Sequence, residues 1–490
     1  MFELQIAFRY LIPKRRSLST ALISVVSILV ISLVIWLSLV FLSVTGGMEK
    51  NWLQKLTSLH APIRISPTDA YYRSYFYQID SIAAASGFTF KTIGEKNETL
   101  ISDPYCEESD WEIPSSWQKK VVKDDGTLLD PVKAAFQELT TLKEKIPNLS
   151  FQDYEIGGAL LRLTIYPQGK RGAPSYLSQM TYLLSWMDAN PNLSSLIYEK
   201  ESEESSNSSD IPIFLPKSYR ENGALVGTRG TLSFSSPIAT SSQEQRIWIR
   251  VAGFYDPGIA VVGNRSILVP PQVTRSISAG NPAFSPDGTP TNGIFAWVPD
   301  LKEVNPIADQ IREKFIQAGI DSYWKIETYE DFEFAKDLMH QFQSDRTLLL
   351  LIASIILVVA CSNIISLLVL LVNDRKKEIA ILQSMGATSF SIASIFAFCG
   401  VFMGVMGCFL GTFAALFTLR NIDILVAFLS KIQGRAAFHP AFFGNSLPNQ
   451  LDPSALLFIL IATPLLSLAA GLVPAMKASR IHPSKTLRSE

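Results

Sequence analysis

The stretch Asp374–Ser391, DRKKEIAILQSMGATSFS, places five consecutive charged residues between two of the most apolar parts of the chain. An uncharged run at 347–373 precedes it, and no charged residue follows Glu378 until Arg420. About 20 apolar residues are enough to cross a bilayer as a helix. The stretch therefore predicts a short charged connection between two membrane spans, followed by more apolar sequence than one span needs.

Four apolar runs in the 490-residue chain are long enough to cross a membrane, and 48% of all residues are hydrophobic. We predict spans at 17–45, 347–373, 390–419 and 453–476. The first run follows a basic flank as a signal peptide would, but it is about twice the length of a signal-peptide core and lacks a small-residue cleavage site. It is therefore interpreted as a retained anchor.

The distribution of basic residues predicts the orientation of these spans, because cytoplasmic flanks are enriched in Lys and Arg. Basic residues cluster in the N-terminal amphipathic segment 1–16, in the connection 374–389 and in the tail 477–490, so all three are expected inside the cell. The segment 46–346 has 29 basic and 38 acidic residues, a net charge of −9, and is expected outside together with the loop 420–452. Both termini are then cytoplasmic.

The segment 46–346 is too long for a loop and predicts a domain. In QRIWIRVAGF, Ile247, Ile249 and Val251 alternate with polar or aromatic residues, which is the pattern of a half-buried strand. Pro306 opens a helical pattern with Ile307, Ile311 and Phe315 on one stripe, and the strand-like YWKIET follows. An α+β domain is expected, without an internal disulfide because Cys106 is its only cysteine.

Two polar stretches of this domain are candidates for contact with other molecules. EKESEESSNSSD, residues 199–210, lacks apolar anchors and predicts a disordered insertion, although binding of cations or of a basic partner is an alternative. SSPIATSSQEQR, residues 235–246, predicts a polar hairpin tip with two apolar residues at its base. It is either a solvated loop or a contact arm for another exported protein. The residues of such an arm are Pro237, Ile238, Gln243, Gln245 and Arg246.

The sequence contains no pattern of a catalytic or metal site. It has no G-x-x-x-x-G-K-[ST] phosphate loop, no H-E-x-x-H and no C-x-x-C, and its four histidines are scattered. We therefore expect no catalytic residue, no bound metal, no cofactor on this chain and no nucleic-acid partner.

The connection 374–389 predicts a short amphipathic helix that Gly386 stops, with Thr388 or Ser389 capping the next helix. Ile379, Leu382 and Met385 are expected on one exposed face. Such a helix can lie in lipid headgroups or dock into a groove of a soluble partner. Its lack of aromatic residues favours the protein groove.

Small residues recur along the third span at i, i+4, i+7 and i+11, which is typical of close helix packing in membranes. The residues are Gly400, Gly404, Gly407 and Gly411. The partner is a helix of the same chain or of a second subunit. In the second span, Asn363 predicts an interhelical hydrogen bond, with a place on a transport path as the alternative.

Two motifs resemble the four-span permeases of ABC transporters, which include the lipoprotein-releasing (LolC/LolE-like), macrolide-exporter (MacB-like) and FtsX-like permeases. DRKKEIAILQSMGAT is similar to the coupling helix of that family, and PAMKASRIHPSKTLRSE, residues 474–490, is similar to its C-terminal ending. FHPAFFGNSLPNQLDP, residues 438–453, looks like the outer loop of the Lol branch. Residues 95–210 match no part of the family.

The resemblance implies an α-helical membrane protein with four transmembrane helices and a large α+β extracytoplasmic domain with a MacB-like periplasmic core. It would be a multi-pass permease of a bacterial inner membrane that works with a cytoplasmic ABC ATPase dimer, which binds ATP and Mg, and with a second permease. Lipoproteins would pass from the membrane lipid to a periplasmic carrier that the 235–246 arm captures. The ATPase would contact Glu378, Ile379, Leu382, Met385, Gly386 and Ala387.

Three other functions remain open at the level of the sequence. An FtsX-like signalling subunit would control a cell-wall hydrolase, and a MacB-like permease would export its substrate. A protein of another class, a membrane-anchored extracytoplasmic binding protein, would have no ATPase at all. Co-purification of an ATPase separates the last possibility from the others.

Overall fold

A computed structural model describes residues 7, 18–123, 126–166, 173–186, 188–200, 210–238, 241–256, 266–278, 291–434 and 451–479. The chain divides into two compact units. The first, called here the membrane unit, contains Met1–Asn51 and His340–Glu490, and the second, called here the β unit, is Trp52–Met339. Each unit is described by itself.

The helices and strands are numbered in chain order. The helices are α1 Leu18–Leu59, α2 Asp69–Arg73, α3 Tyr75–Gln78, α4 Ile93–Glu98, α5 Pro131–Lys145, α6 Leu193–Leu196, α7 Lys217–Glu221, α8 Pro271–Ser278, α9 Val304–Gln317, α10 Glu333–Asp374, α11 Lys376–Ser384, α12 Ser389–Arg420, α13 Ile422–Gln433 and α14 Pro453–Ser479. The strands are β1 Ile63–Pro67, β2 Ser150–Ile165, β3 Ser175–Ser185, β4 Ile197–Lys200, β5 Ile211–Pro216, β6 Arg229–Ile238, β7 Ser241–Tyr255, β8 Ser266–Val269, β9 Asn292–Trp297 and β10 Trp324–Thr328.

Four helices of the described residues are long and apolar enough to cross a membrane, at Val25–Gln54, Ala335–Asp374, Ser389–Arg420 and Pro453–Ser479. α1 and α10 are longer than the spans predicted at 17–45 and 347–373, because each has 42 residues. Helix formation continues past an apolar run wherever no Pro or capping residue stops it. Loss of apolar character therefore marks the limit of a span but not the end of its helix.

The core of the membrane unit is formed by one stripe from each long helix. On α1 the stripe consists of Ile31, Ile35 and Leu39, each at most 1% exposed and four positions apart. Large apolar residues on the opposite side of α1, such as Leu29 and Leu33, are exposed. An apolar exterior around an apolar core is expected of a bundle that lipid surrounds.

One part of the β unit is a four-stranded antiparallel sheet in the order β10-β1-β9-β2. The helix α5 joins β1 to β2 along the chain, and α9 joins β9 to β10, so the arrangement is a split βαβ fold. Its core combines Ile63 and Ile65 of β1 with Leu139 of α5 and Ile311 and Phe315 of α9, all fully buried. The stripe predicted from Ile307, Ile311 and Phe315 is thus the buried face of α9.

The other part of the β unit is a closed barrel of six strands. The strands pair in the cycle β2-β3-β8-β5-β7-β6 and back to β2. Strand β2 joins both parts because Ser150–Glu155 pairs with β9 and Ile156–Ile165 pairs with β3. Ile249 and Val251, predicted from the alternating pattern, are fully buried in the barrel core, whereas Trp248 between them is 65% exposed.

A segment between β1 and α5 carries the short helices α2, α3 and α4 outside the sheet and the barrel. Lys96 of α4 and Asp80 form an ion pair of 2.5 Å in which each side chain is 5% exposed. The Lys96 ammonium also donates to the carbonyl of Phe76 at 2.6 Å. Breaking such a buried pair leaves an uncompensated charge, so it fixes α4 against its neighbours.

Several sequence-based expectations concern residues outside those that the structure describes. They are the amphipathic segment 1–16, of which only Ala7 is described, most of the acidic stretch 199–210, most of the outer-loop motif at 438–453, and most of the tail 477–490.

Candidate functional site

The short helix α11 lies between the spans α10 and α12 and is the structural form of the opening stretch. Its first turn is stabilised by an ion pair between Arg375 and Glu378, three residues apart. Its C-terminus is a Schellman motif, in which Gly386 has φ +96° and donates to Gln383 O, and Ala387 donates to Leu382 O at 3.0 Å. A left-handed backbone of this kind favours glycine.

The connection from α11 to α12 is equally well defined. Thr388 is the N-cap of α12, and its hydroxyl accepts a hydrogen bond from the amide of Ser391 at 3.2 Å. Gly386 and Thr388 thus form the tight turn that the sequence indicates. The turn holds α11 directly beside the beginning of the third span.

The exposed face of α11 differs from the expected one. Ile379 is 1% exposed and belongs to the apolar core of the membrane unit, so the prediction that it shares an exposed face with Leu382 and Met385 is wrong. Leu382 is half-buried, whereas Met385 is 79% and Ile381 is 49% exposed. At about 100° per residue, Ile381 lies on the opposite side of the helix from Ile379. The available surface consists of Lys377, Glu378, Ile381, Ser384 and Met385.

The glycine stripe of α12 contacts two helices of the same chain. A Cβ added to Gly400 would lie 2.9 Å from the carbonyl oxygen of Ser467 in α14. A Cβ added to Gly411 would lie 2.7 Å from the carbonyl oxygen of Ser32 in α1. In the same way, Gly400 and Gly404 lie close to α14, and Gly407 and Gly411 lie close to α1.

The stripe therefore allows three spans to approach each other closely, which small residues make possible in membranes. A further contact between α1 and α12 is polar, since the indole of Trp36 donates to the hydroxyl of Thr418 at 2.8 Å. Asn363 of α10, for which the sequence predicts an interhelical hydrogen bond, is half-buried.

Asp452 connects three helices at the beginning of α14. Its carboxylate accepts from the amide of Ser454 at 2.9 Å and caps α14, with Pro453 at the first helical position. The Asp452 amide donates to the Ser43 hydroxyl of α1 at 3.1 Å. The Arg346 guanidinium of α10 lies 3.5 Å from the same carboxylate. The sequence-based predictions missed this junction, although the residue pair Asp-Pro before an apolar run is a signal of a helix beginning there.

The segment 235–246 is a two-stranded ribbon and not the loop tip that the sequence indicates. β6 and β7 pair as far as Ile238 with Ser241, so only two residues connect them. Pro237 and Ile238 lie beside this connection and not at the base, because the strand pairing continues through Pro237 with Ser242 to Ile238 with Ser241. Gln243, Gln245 and Arg246 are exposed on β7.

A cluster of charged residues is partly buried where β2 passes from the sheet to the barrel. Arg275 of α8 forms two parallel hydrogen bonds with Glu98 of α4, at 2.9 and 3.0 Å. Its guanidinium also lies 3.7 Å from the carboxylates of Asp153 and Glu155. Burial raises the pKa of Glu155 to about 7, although Thr92 and Arg275 act in the opposite direction. Burial also raises the pKa of Asp153.

Among the described residues, no group of three or more His, Cys, Asp or Glu side chains has the geometry of a metal site.

The helix α13 was missed by the sequence-based predictions. The loop expected at 420–452 begins with the helix α13, on which Ile424, Phe428 and Ile432 recur every four residues. This spacing is the signal that would have found it.

Comparison with protein families finds a match for the region of the chain that contains α11. Residues 350–483 match the family model described as FtsX-like permease C-terminal. The matched range contains α11, the glycine stripe and Asp452.

Individual relatives include membrane proteins of lipoprotein-releasing systems and an ABC transporter permease. The chain is 31% identical to the lipoprotein-releasing system transmembrane protein LolC of Haemophilus influenzae, over 34% of this chain and 38% of LolC. It is 29% identical to LolE of the same organism, over 31% of this chain and 37% of LolE. An uncharacterized ABC transporter permease of Methanocaldococcus jannaschii, MJ1507, is 23% identical over 44% of this chain and 51% of that protein.

These matches confirm the predicted resemblance to Lol-type ABC permeases. The matched region spans less than two fifths of the length of the two Haemophilus relatives. Four apolar helices and a large β-rich unit fit a membrane permease with a large additional domain.

Proposed function

We propose that the chain is the permease subunit of an ATP-driven complex that releases lipoproteins from the outer leaflet of a bacterial inner membrane to a periplasmic carrier. The observation that carries the proposal is the outward face of α11, where Ile381 and Met385 are exposed between two spans. Its position inside the FtsX-like match supports a coupling role. In this proposal α11 lies in the cytoplasm and the β unit lies in the periplasm.

A separate ATPase dimer binds ATP and Mg in this proposal, because the chain has no phosphate-binding loop of its own. A groove of the ATPase receives Ile381 and Met385, and Glu378 and Lys377 lie at the edge of the contact. Helices that dock in this way present apolar residues at i and i+4 spacing to a groove. A second permease, either a paralogue or another copy, completes the membrane part.

The energy requirement of lipoprotein release supports a dedicated ATPase. Withdrawing one buried CH2 group from lipid costs about 0.8 kcal/mol, so one long acyl chain costs on the order of 10 kcal/mol. The substrate moves from the outer leaflet to a carrier and need not cross the bilayer. In this proposal the β6–β7 ribbon is the arm that contacts the carrier, through Gln243, Gln245 and Arg246.

The coupling face can be tested by a double substitution, Ile381→Asp with Met385→Asp. Charges in an apolar groove cost several kcal/mol, so we expect the ATPase to be lost when the variant is purified in mild detergent. Lipoproteins should then remain in the inner membrane of cells that carry only the variant. The matched control is Lys376→Asp, which changes an exposed residue on another side of α11. Retention of the ATPase by the double variant would refute this contact.

A signalling role is the second candidate function, because the matching family model is that of FtsX-like permeases. In this case the β unit would activate a cell-wall hydrolase. Depletion of the chain distinguishes the two functions. Retained lipoproteins indicate release, and chained cells with normally sorted lipoproteins indicate hydrolase control. If the intact protein carries no ATPase, both candidates fail and a membrane-anchored binding protein remains.

A further inference from the structure

The helix α13, Ile422–Gln433, presents an apolar face that no other described residue covers. Ile424, Phe428 and Ile432 are 69%, 60% and 67% exposed. Because they are four residues apart, they lie within about 80° of one another around the helix. Asp423 and Ala427 are also exposed and lie about 60 to 100° from Ile424, on the side away from Ile432, whereas the exposed Lys431 lies about 20° from Ile424 at the edge of the apolar face. The helix is therefore amphipathic, and its apolar face is directed away from the described part of the chain.

The position of α13 follows from the helix before it. The span α12 ends at Arg420, and Asn421 has φ −117° and ψ +36°, which ends regular helical geometry. The Asn421 amide donates to the carbonyls of Phe417 and Thr418, and Ile422 is only 4% exposed. Two peptide units reach at most about 8 Å, so α13 begins immediately beside the end of the span.

The exposed surface of α12 near this end is also apolar. Phe409, Phe413 and Phe417 are 65 to 68% exposed and extend to within three residues of Arg420. Large aromatic residues on the outside of a span are in contact with lipid. The bilayer surface therefore lies close to the junction between α12 and α13.

We propose that α13 lies on the outer surface of the membrane, with Ile424, Phe428 and Ile432 inserted among the lipid headgroups and the adjoining acyl chains. With 12 residues the helix is too short to span a bilayer, and its mixed polar and apolar faces are typical of interfacial helices. Its location beside a lipid-facing span identifies lipid as the occupant of the apolar face. The helix anchors the outer end of α12 at a fixed depth.

The helix α11, at the opposite end of α12, provides a contrast. Its exposed face combines Ile381 and Met385 with the charged residues Lys377 and Glu378. The exposed apolar stripe of α13 includes the aromatic Phe428, and the charged residue at its edge is Lys431, a residue type typical of the polar side of interfacial helices. The chemistry thus suits a protein groove at one end of the span and a lipid surface at the other. This inference rests on the membrane location of α12 and is independent of the proposed substrate.

Fluorescence quenching tests this placement in the full-length protein. Single cysteines are introduced by Ile424→Cys, Phe428→Cys and Ile432→Cys in a Cys106→Ser background, because Cys106 is the exposed native cysteine among four. Asp423→Cys and Ala427→Cys, about 60 to 100° from Ile424 around the helix, are the matched controls. Each variant is labelled with an environment-sensitive fluorophore and reconstituted into phosphatidylcholine–phosphatidylglycerol vesicles, with the Cys106→Ser protein as the labelling background.

We expect nitroxide-bearing lipids to quench the three stripe positions about threefold more strongly than the controls, and aqueous iodide to show the reverse order. Equal access of iodide to both sets would overturn the proposal. Protection of the stripe from iodide without quenching by lipid would also overturn it, since protein would then cover the face. Three stripe positions report on the same contact, so a variant that fails to fold does not prevent the test.

Discussion

Ile379 and Ile381 carry the same side chain and lie two positions apart on α11, but they are 1% and 49% exposed. They point in opposite directions because positions two residues apart are separated by about 200° around the helix axis. Ile379 packs with the core of the membrane unit, and Ile381 remains available to a partner. The two positions therefore separate a contribution to stability from the proposed contact with the ATPase.

We therefore expect Ile379→Asp and Ile381→Asp to have different effects. Ile379→Asp buries an unpaired charge and should lower the free energy of unfolding of the membrane unit by several kcal/mol. Ile381→Asp should leave stability within about 0.5 kcal/mol and weaken ATPase binding. Thermal unfolding in detergent and co-purification measure the two effects. Equal destabilisation by both substitutions would contradict the assignment of the faces.

Glu155 provides a prediction about pH. Burial raises its pKa from 4.5 to about 7, so the folded chain holds a proton between these values that the unfolded chain has released. The folded state then binds more protons, and its stability falls as the pH rises through this window. Asp153, whose pKa burial also raises, acts in the same direction, and the charged neighbours are Arg275, Glu98 and Glu95.

Glu155→Gln should remove most of this pH dependence. The variant should resemble the parent near pH 4.5 and exceed its free energy of unfolding by about 1 to 3 kcal/mol at pH 8. Denaturation of the full-length chain between pH 4.5 and 8.5 measures the slope, with exposed Glu144→Gln as the control. An unchanged slope would show that Glu155 is ionised throughout.

The sequence predicted the ends of α11 better than its orientation. Gly386 and Thr388 act through local backbone geometry, which the nearby residues determine. Which of Ile379 and Ile381 is buried depends on which side of α11 contacts the core of the membrane unit. Ile379, Ala380, Ile381 and Leu382 are consecutive apolar residues, so apolar groups lie all around the helix. Periodicity cannot decide between the sides of such a helix.

At the scale of elements, the glycine stripe of α12 shows how two neighbours share one helix. Gly400 and Gly404 contact α14, and Gly407 and Gly411 contact α1. The sequence indicated a packing face but left the partner open. The change of partner halfway along the stripe requires three helices in contact, which no local pattern encodes.

Gly411→Val should therefore destabilise the membrane unit. A Cβ at this position would lie 2.7 Å from a backbone oxygen of α1, which cannot move aside as a flexible side chain could. We expect a loss of about 1 to 3 kcal/mol, measured by thermal unfolding in detergent. The control is Val405→Leu, at a position of the same helix that is 46% exposed. Equal stability of the two variants would argue against close packing of α1 on α12.

The strands of the β unit show the same division between local and distant information. Ile249 and Val251 were correctly predicted to face the core, because alternation along one strand is a local property. Closure of the barrel was not predicted, since it depends on pairing between strands as distant in sequence as β2 and β6. Residues 234–238 and 241–245 continue beyond the pairing with β2 as a ribbon of two strands.

At the scale of the whole molecule, the two units carry different parts of the proposed function. The membrane unit provides the outward face of α11, the packed spans and the interfacial helix α13. The β unit provides the ribbon that we assign to carrier contact. The sequence indicated this division because charged and apolar residues are so unevenly distributed. The match to FtsX-like permeases covers residues 350–483 of the membrane unit.

Photo-crosslinking from α11 in intact cells tests the central claim most directly. A photoreactive residue is placed at Ile381 or at Met385, with the buried Ile379 as the matched control position. We predict an adduct with a cytoplasmic ATPase that contains a phosphate-binding loop, formed from positions 381 and 385 and absent from 379. Adducts with periplasmic proteins, or no ATPase adduct from either exposed position, would contradict the account.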